Sequence, residues 1–138
     1  MVATRQYFSN AAGSVDFVPG AYVYLHWSGE PMTGPEFRAL YIHARNLLLR
    51  HELHAILADH RAMPAAPTDA DREWLLTEWL PQTVAQTSYD CCAVLQTLDP
   101  AHRLHTDPVV RDLRRYVTAA LFDDLEEAAA WLGAHCQA

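Results

Sequence analysis

The fold is decided by the stretch TGPEFRALYIHARNLLLRHELHAILA (Thr33–Ala58), where a capped amphipathic helix runs into a short apolar segment. Thr33 and Glu36 are spaced as a capping box, in which each side chain bonds the backbone of the other. Apolar residues then recur three and four apart, as in one face of a helix: Phe37, Leu40, Tyr41, Ala44, Leu47 and Leu48. This pattern predicts a helix near 34–51 and a buried strand at 53–58.

The same alternation extends in both directions from this stretch. Strand-like runs separated by Asn, Gly and Pro turn residues are predicted at 5–9, 14–18, 21–27, 88–96 and 118–122. Further helices are predicted near 69–79, 107–116 and 124–135, with capping boxes at Thr68–Asp71 and Asp123–Glu126 and a boundary at Pro81. We therefore expect a single α/β domain over residues 1–138, with a mixed four- to five-stranded sheet and helices.

Composition excludes several classes of function. The net charge of −7 disfavours binding to nucleic acid or to an anionic membrane surface. All ten basic residues are arginine, which rules out a Schiff-base or P-loop lysine. The apolar runs are far shorter than the ~20 residues of a membrane-spanning helix, so we expect no membrane insertion. Without a leader-like N-terminus, and with three cysteines that we expect to be reduced, a cytoplasmic location is predicted.

Three stretches resemble the SpoIIAA-like branch of the STAS superfamily: Ala55–Asp59, Glu73–Pro81 and Phe122–Leu132. The resemblance implies a mixed sheet with helices and a regulatory role, through partner contacts or ligand sensing rather than turnover. In the anti-sigma-antagonist members a phosphorylated serine starts the helix after the central strand. The only hydroxyl at the matching place in this chain is that of Thr68.

The predicted binding residues follow the buried strand that ends near residue 58. Asp59, His60 and Arg61 lie where ligands bind in open α/β sheets, beyond the carboxyl ends of the strands. The capped start of the next helix, with Thr68 and nearby Arg72 and Trp74, offers free amides to an anion. The alternative is that Asp59 pairs with an arginine, Arg61 or Arg72, and only organises the loop.

No cofactor, metal site or catalytic residue is predicted. The histidines of His51-Glu-Leu-His54 are three apart, whereas a zincin helix requires four, and His102 and His105 repeat the shorter spacing. No serine stands in a nucleophile elbow and no glycine-rich phosphate loop is present. An enzyme with a Cys–His or Asp–His site is therefore the weakest of the classes considered.

An association surface is predicted from apolar residues outside the helical stripes. Ile42 and Leu49 fall on the side of their helix opposite the main stripe, and Trp74 projects away from the apolar face of a regular helix. These residues are covered either by a larger core or by another molecule, most simply the second copy in a homodimer.

The expected function is therefore a non-catalytic regulatory or protein-interaction module of STAS type, working with a protein partner or as a homodimer. The alternative is a domain that binds a small-molecule or lipid-like ligand in a pocket near the Asp59–Thr68 loop.

Overall fold

The computed structural model describes residues 4–63, 67–96 and 109–135. The strands, β1 to β6 in chain order, are Arg5–Asn10, Gly13–Val18, Tyr22–Trp27, Ala55–Asp59, Cys91–Leu95 and Thr118–Phe122. The helical segments are α1 (Gly34–Arg50), α2 (Asp69–Trp74), a π-helical turn (Leu75–Trp79), α3 (Leu80–Gln86), α4 (residues 109–113) and α5 (Leu125–His135). No helix within these ranges is long and apolar enough to cross a membrane.

The strands form one sheet in sequence order, β1-β2-β3-β4-β5-β6. The pairs β1–β2 and β2–β3 are antiparallel, and every pair from β3 to β6 is parallel. The predicted α/β class with a mixed sheet is confirmed, but the strand count of four to five is wrong, because the described residues form six strands. The two N-terminal strands, β1 and β2, extend the sheet beyond β3 as an antiparallel meander.

The helices divide unequally between the two faces of the sheet. Helix α1 packs over β1, β2 and β3, and the large core on this side also holds residues of the π-helical turn, α3 and α4. On the opposite face α5 packs over β4, β5 and β6 around Leu57, Ala93, Ala128 and Leu132. On this second face β2 and β3 present the half-buried side chains of Ser14, Asp16, Tyr24 and His26.

Caps fix the starts of the helices. The capping box of Thr33 and Glu36 is confirmed, and the Thr68 hydroxyl accepts from the backbone N–H of Asp71 at the start of α2. The box expected at Asp123–Glu126 is displaced by one residue. Asp124 accepts from the backbone N–H of Glu127 at 2.9 Å, and α5 therefore begins at Leu125.

The boundary predicted at Pro81 is wrong, because helical structure continues from Asp69 to Gln86. Proline lacks the N–H that an α-helix needs, and its ring collides with the carbonyl four residues earlier. The π-helical turn relieves both problems, since Leu80 N–H bonds to the Leu75 carbonyl five residues back. Pro81 then lies in the first turn of α3, where a missing N–H costs nothing.

The expectation of reduced cysteines holds for one of the two that the structure describes. Cys92 is a buried free thiol, and burial raises its pKa to about 11. Cys91 is disulfide-bonded, so the prediction is wrong there. Neighbouring residues of a strand point to opposite faces, and only Cys91 lies on the face that α5 covers. The sequence could not reveal this difference because a disulfide depends on which side chains the fold brings within reach of each thiol.

Candidate binding site at the ends of β3 and β4

Asp59 is the last residue of β4 and the centre of a hydrogen-bonded cluster. Its side chain is 7% exposed and accepts both Nε and Nη2 of Arg61, at 3.0 and 2.8 Å. The backbone N–H of Arg61 and the hydroxyl of Tyr24 donate to the same carboxylate, at 3.1 and 2.5 Å. Asp59 therefore pairs with Arg61, as the alternative interpretation held, and not with Arg72.

These contacts hold the pair ionised. Burial by itself raises the pKa of Asp59, but hydrogen bonds from Arg61 and Tyr24 outweigh it and hold the pKa below its usual value. The pKa of Arg61 is raised, chiefly by the hydrogen bond to Asp59. The pKa of Tyr24 is raised by burial and by the Asp59 carboxylate, so its hydroxyl stays a donor. With four donors on it, Asp59 serves to position Arg61 and not to bind a ligand.

His26 lies beside this pair and was not foreseen from the sequence. It is in register with Asp59 across β3 and β4, and its Nε2 lies 3.1 Å from Asp16 Oδ2. Asp16 also accepts the Ser14 hydroxyl at 2.5 Å, and the His26 ring stacks on Tyr24 with centroids 4.8 Å apart. Two neighbouring strands thus orient the imidazole, in the way that an aspartate orients a catalytic histidine.

An open cleft of about 440 Å³ lies at this edge of the sheet, lined by His26, Trp27, Asp59, Arg61 and Ala62. Trp27 is 2% exposed, yet its indole N–H has no hydrogen-bond partner in the part of the chain that the structure describes. Buried donors almost always have a partner, because an unpaired one costs about 1–3 kcal/mol. Nε1 is itself buried, so this unpaired donor lies within the wall of the cleft and not on its open surface.

His60 lies behind the cleft instead of lining it. Its backbone N–H bonds to Leu95, and its ring meets the Trp27 ring edge-on at 4.8 Å. Burial lowers its pKa to about 4, so the ring is neutral at pH 7, and its buried Nδ1 has no partner among the described residues. Of the three predicted residues, Asp59 and Arg61 line the cleft and His60 supports it.

On its inner side His60 borders an apolar cavity of about 30 Å³, which Tyr41, Trp79, Tyr89 and Cys92 also line. That volume holds about one water molecule. This cavity is therefore too small for the tail of a lipid-like ligand.

Thr68, Arg72 and Trp74 belong to a different part of the molecule. Asp71, 6% exposed, accepts the Thr68 hydroxyl at 3.0 Å and Arg38 Nε at 2.9 Å. A Cβ placed on Gly34, at the start of α1, would lie 3.1 Å from Asp71 Oδ1, so glycine allows this close approach. Arg72 pairs with the exposed Asp69 at 2.6 Å. Asp71 thus joins α2 to α1, whereas Arg72 pairs within its own helix, and none of the three predicted residues lines the cleft.

Trp74 is half-buried and packs against the large core, with the Arg38 guanidinium carbon 5.2 Å from the centre of its ring. Trp74 therefore packs on this core, and its place in an interface stays a prediction. The core on this side of the sheet contains residues of α1 as well as the apolar stripe that follows α2. Ile42 and Leu49, by contrast, are 40% and 48% exposed on α1, as their helical positions predict.

The sequence analysis missed Asp16, Tyr24, His26 and Trp27. The available signal was alternation in β3, which places Tyr24 and His26 on one face and Trp27 on the other. Their meeting with Asp59 required knowing that β3 and β4 are parallel neighbours. The described residues contain no group of three or more His, Cys, Asp or Glu side chains placed to hold a metal ion.

No family model, no curated protein and no solved structure matches this chain.

Proposed function

We propose that this chain is a non-catalytic regulatory module that binds a small polar molecule in the cleft at the ends of β3 and β4. The observation that carries the proposal is the Arg61 guanidinium, which Asp59 holds in place at the edge of the cleft while the side chain remains 39% exposed. Asp59 accepts from Nε and Nη2, and the remaining N–H groups of the guanidinium are left for a ligand acceptor in the cleft.

Preorganisation of Arg61 supports the proposal. A flexible arginine loses side-chain entropy when it orders around a ligand, which weakens binding. Here the hydrogen bonds to Asp59 have already ordered the guanidinium, although the side chain remains 39% exposed. The position at the carboxyl ends of parallel strands is where ligands bind in open α/β sheets. The resemblance to STAS regulators agrees with a role in sensing.

A fragment screen by protein-observed NMR tests this function. We expect oxygen-bearing fragments to shift the Trp27 indole N–H resonance, and Arg61→Ala to abolish the shift. Arg72→Ala is the matched control, because Arg72 lies on α2 away from the cleft, and it should change nothing. Failure of every fragment to move the indole resonance, or equal losses in both variants, would contradict the proposal.

A second candidate function is association through α1, because Ile42 and Leu49 lie exposed seven residues apart on one helix. We propose that this surface joins two copies of the chain in a symmetric homodimer. Light scattering at micromolar concentration should give the mass of a dimer, and Ile42→Asp should give a folded monomer. A wild-type monomer would contradict this candidate and leave the binding cleft unaffected.

A further inference from the structure

We propose that the ligand of the cleft carries an uncharged amide group, whose carbonyl oxygen accepts from Arg61 and whose N–H donates to Nδ1 of His26. This inference rests on the proposed function and names the chemical class of the ligand. Its basis is that the cleft offers an open donor group and an open acceptor, without an unbalanced positive charge.

The donor group is the guanidinium of Arg61, which lines the cleft and is 39% exposed. A guanidinium carries five N–H donors in one plane and has no acceptor. Asp59 accepts from Nε and Nη2 and so fixes the orientation of that plane. The remaining N–H groups are therefore available to an acceptor in the cleft, such as a carbonyl oxygen.

The acceptor is one nitrogen of the His26 ring, which also lines the cleft. Its Nε2 lies 3.1 Å from Oδ2 of Asp16, and an ionised carboxylate can only accept, so Nε2 carries the hydrogen. In the uncharged imidazole the other nitrogen, Nδ1, is then an acceptor. Nδ1 makes no hydrogen bond to the described residues and is not buried. A ligand in the cleft can therefore donate to it.

Strand pairing places these two groups close to each other. His26 is the register partner of Asp59 across β3 and β4, and Arg61 bonds back to the same Asp59. Tyr24 links them further, because its ring stacks on His26 with centroids 4.8 Å apart while its hydroxyl donates to Asp59. An amide presents a carbonyl acceptor and an N–H donor in one plane, and so it matches a donor and an acceptor on neighbouring strands.

Charge disfavours the ionised relatives of an amide. Asp59 neutralises Arg61, and the carboxylate of Asp16 adds a negative charge beside His26. A carboxylate ligand would meet that charge without a further cation to balance it, and like charges repel. An amidinium ligand would place a second cation at Arg61 and would offer N–H groups to a guanidinium that can only donate. An uncharged ligand avoids both conflicts.

Four probes of nearly the same shape separate these possibilities: benzamide, acetophenone, benzoate and benzamidine. Acetophenone has a methyl group in place of the amide nitrogen, benzoate has a charged oxygen there, and benzamidine has a donor in place of the carbonyl oxygen. They are titrated into the full chain in slightly alkaline buffer and followed by NMR. We expect benzamide to bind about tenfold more tightly than each of the others, which is the effect of one hydrogen bond.

Equal or tighter binding of acetophenone, benzoate or benzamidine would overturn the amide assignment while leaving a functional cleft. No binding of these probes or of any fragment in the screen would overturn both the assignment and the proposed function.

Two histidine variants test the contact to the amide N–H. His26→Phe keeps a ring against Tyr24 and removes the acceptor, so it should lower the affinity for benzamide to that for acetophenone. His54→Phe is the matched control, because His54 also pairs with an aspartate, Asp90, but does not line the cleft. It should keep the full preference for benzamide.

Arg61→Ala should weaken benzamide and acetophenone alike, because both probes present a carbonyl oxygen. Circular dichroism verifies that each variant is folded. A full preference for benzamide in folded His26→Phe would overturn the proposed contact. The comparison of the four probes on the wild-type chain decides the assignment even where a variant does not fold.

Discussion

Two buried aspartates in this molecule each bind an arginine. Comparing them shows how a candidate binding site differs from a contact that only holds two helices together. Asp59 at the end of β4 holds Arg61, and Asp71 in α2 holds Arg38. The exposure of the four side chains is nearly the same, at 7% and 39% for the first pair and 9% and 38% for the second. Burial and ion pairing therefore do not distinguish the two clusters.

The difference lies in what the arginine does beyond the pair. Arg38 lies over the ring of Trp74, and Asp71 approaches the start of α1 at Gly34, so the cluster ties two helices together. Arg61 instead borders an open cleft at the ends of β3 and β4. The proposed binding site therefore differs from the contact between helices in opening onto a cleft, and not in its buried aspartate.

The largest effect is expected at Asp59. Asp59→Ala removes the acceptor of four hydrogen bonds and leaves Tyr24 and Arg61 without their partner. We expect a loss of about 3 kcal/mol in the free energy of unfolding, because four hydrogen bonds to one charged group are lost together. Urea denaturation measures this loss, and a change below about 1 kcal/mol would show that solvent already satisfies these donors.

Acid should destabilise the same end of the sheet through His60. Its pKa is about 4 in the folded protein, against about 6.5 in an unfolded chain, so protons bind more readily to the unfolded state. Stability is complete above pH 6.5 and falls as pH decreases towards 4, by up to about 3 kcal/mol. Asp59, with a lowered pKa, adds a further loss only below its ordinary value of 3.8.

Thermal melts of the wild type and of His60→Leu between pH 7 and pH 4.5 measure the contribution of this residue. The variant should lose less stability than the wild type over that interval. If the two proteins lost the same stability as the pH fell, His60 would not contribute to the destabilisation by acid.

At the second aspartate we expect a change in stability without a change in binding. Asp71→Ala leaves Arg38 and Thr68 without their acceptor and should cost about 2 kcal/mol. Asp69→Ala is the control, because that side chain is 95% exposed and should change stability by less than about 0.5 kcal/mol. If Asp71→Ala abolished the fragment-induced shift of the Trp27 indole resonance as Arg61→Ala is expected to, the two clusters would be coupled, contrary to the comparison.

The smallest effect is expected at Thr68. Thr68→Ala removes the cap of α2, and lost caps typically cost about 1 kcal/mol. Thr68→Ser keeps the hydroxyl and should retain most of that stability, as chemical denaturation of both variants would reveal. Equal stability of the alanine and serine variants would mean that the hydrogen bond to Asp71 N–H contributes nothing.

The sequence predicted local structure well because local structure depends on neighbours in the chain. The box of Thr33 and Glu36 and the stripe from Phe37 to Leu48 fix α1 by interactions within a few residues. Alternation in Tyr22–Trp27 likewise fixes which side chains of β3 share a face. The start of α5 was misplaced by one residue because two adjacent aspartates, Asp123 and Asp124, can both cap a helix.

The predictions that failed depended on distant parts of the chain. Pro81 was placed at a boundary because its effect on a regular helix is known, but packing retains the helix through a π-helical turn. Spacing within α2 alone predicts that Trp74 projects away from the apolar face, whereas Trp74 packs against the large core and Arg38. Neither outcome follows from spacing, since each is settled by contacts between separate elements.

The sequence by itself determined the positions of most helices and strands, the caps of α1 and α2, and the polar residues that end β4. Only the tertiary structure decided which of these residues form a site. Pairing of β3 with β4 in parallel register brings His26 opposite Asp59, thirty-three positions along the chain. The same pairing places Trp27, Asp59 and Arg61 along one cleft at the carboxyl ends of these strands. A cleft and its lining are properties of the folded arrangement, and so the proposed binding site is as well.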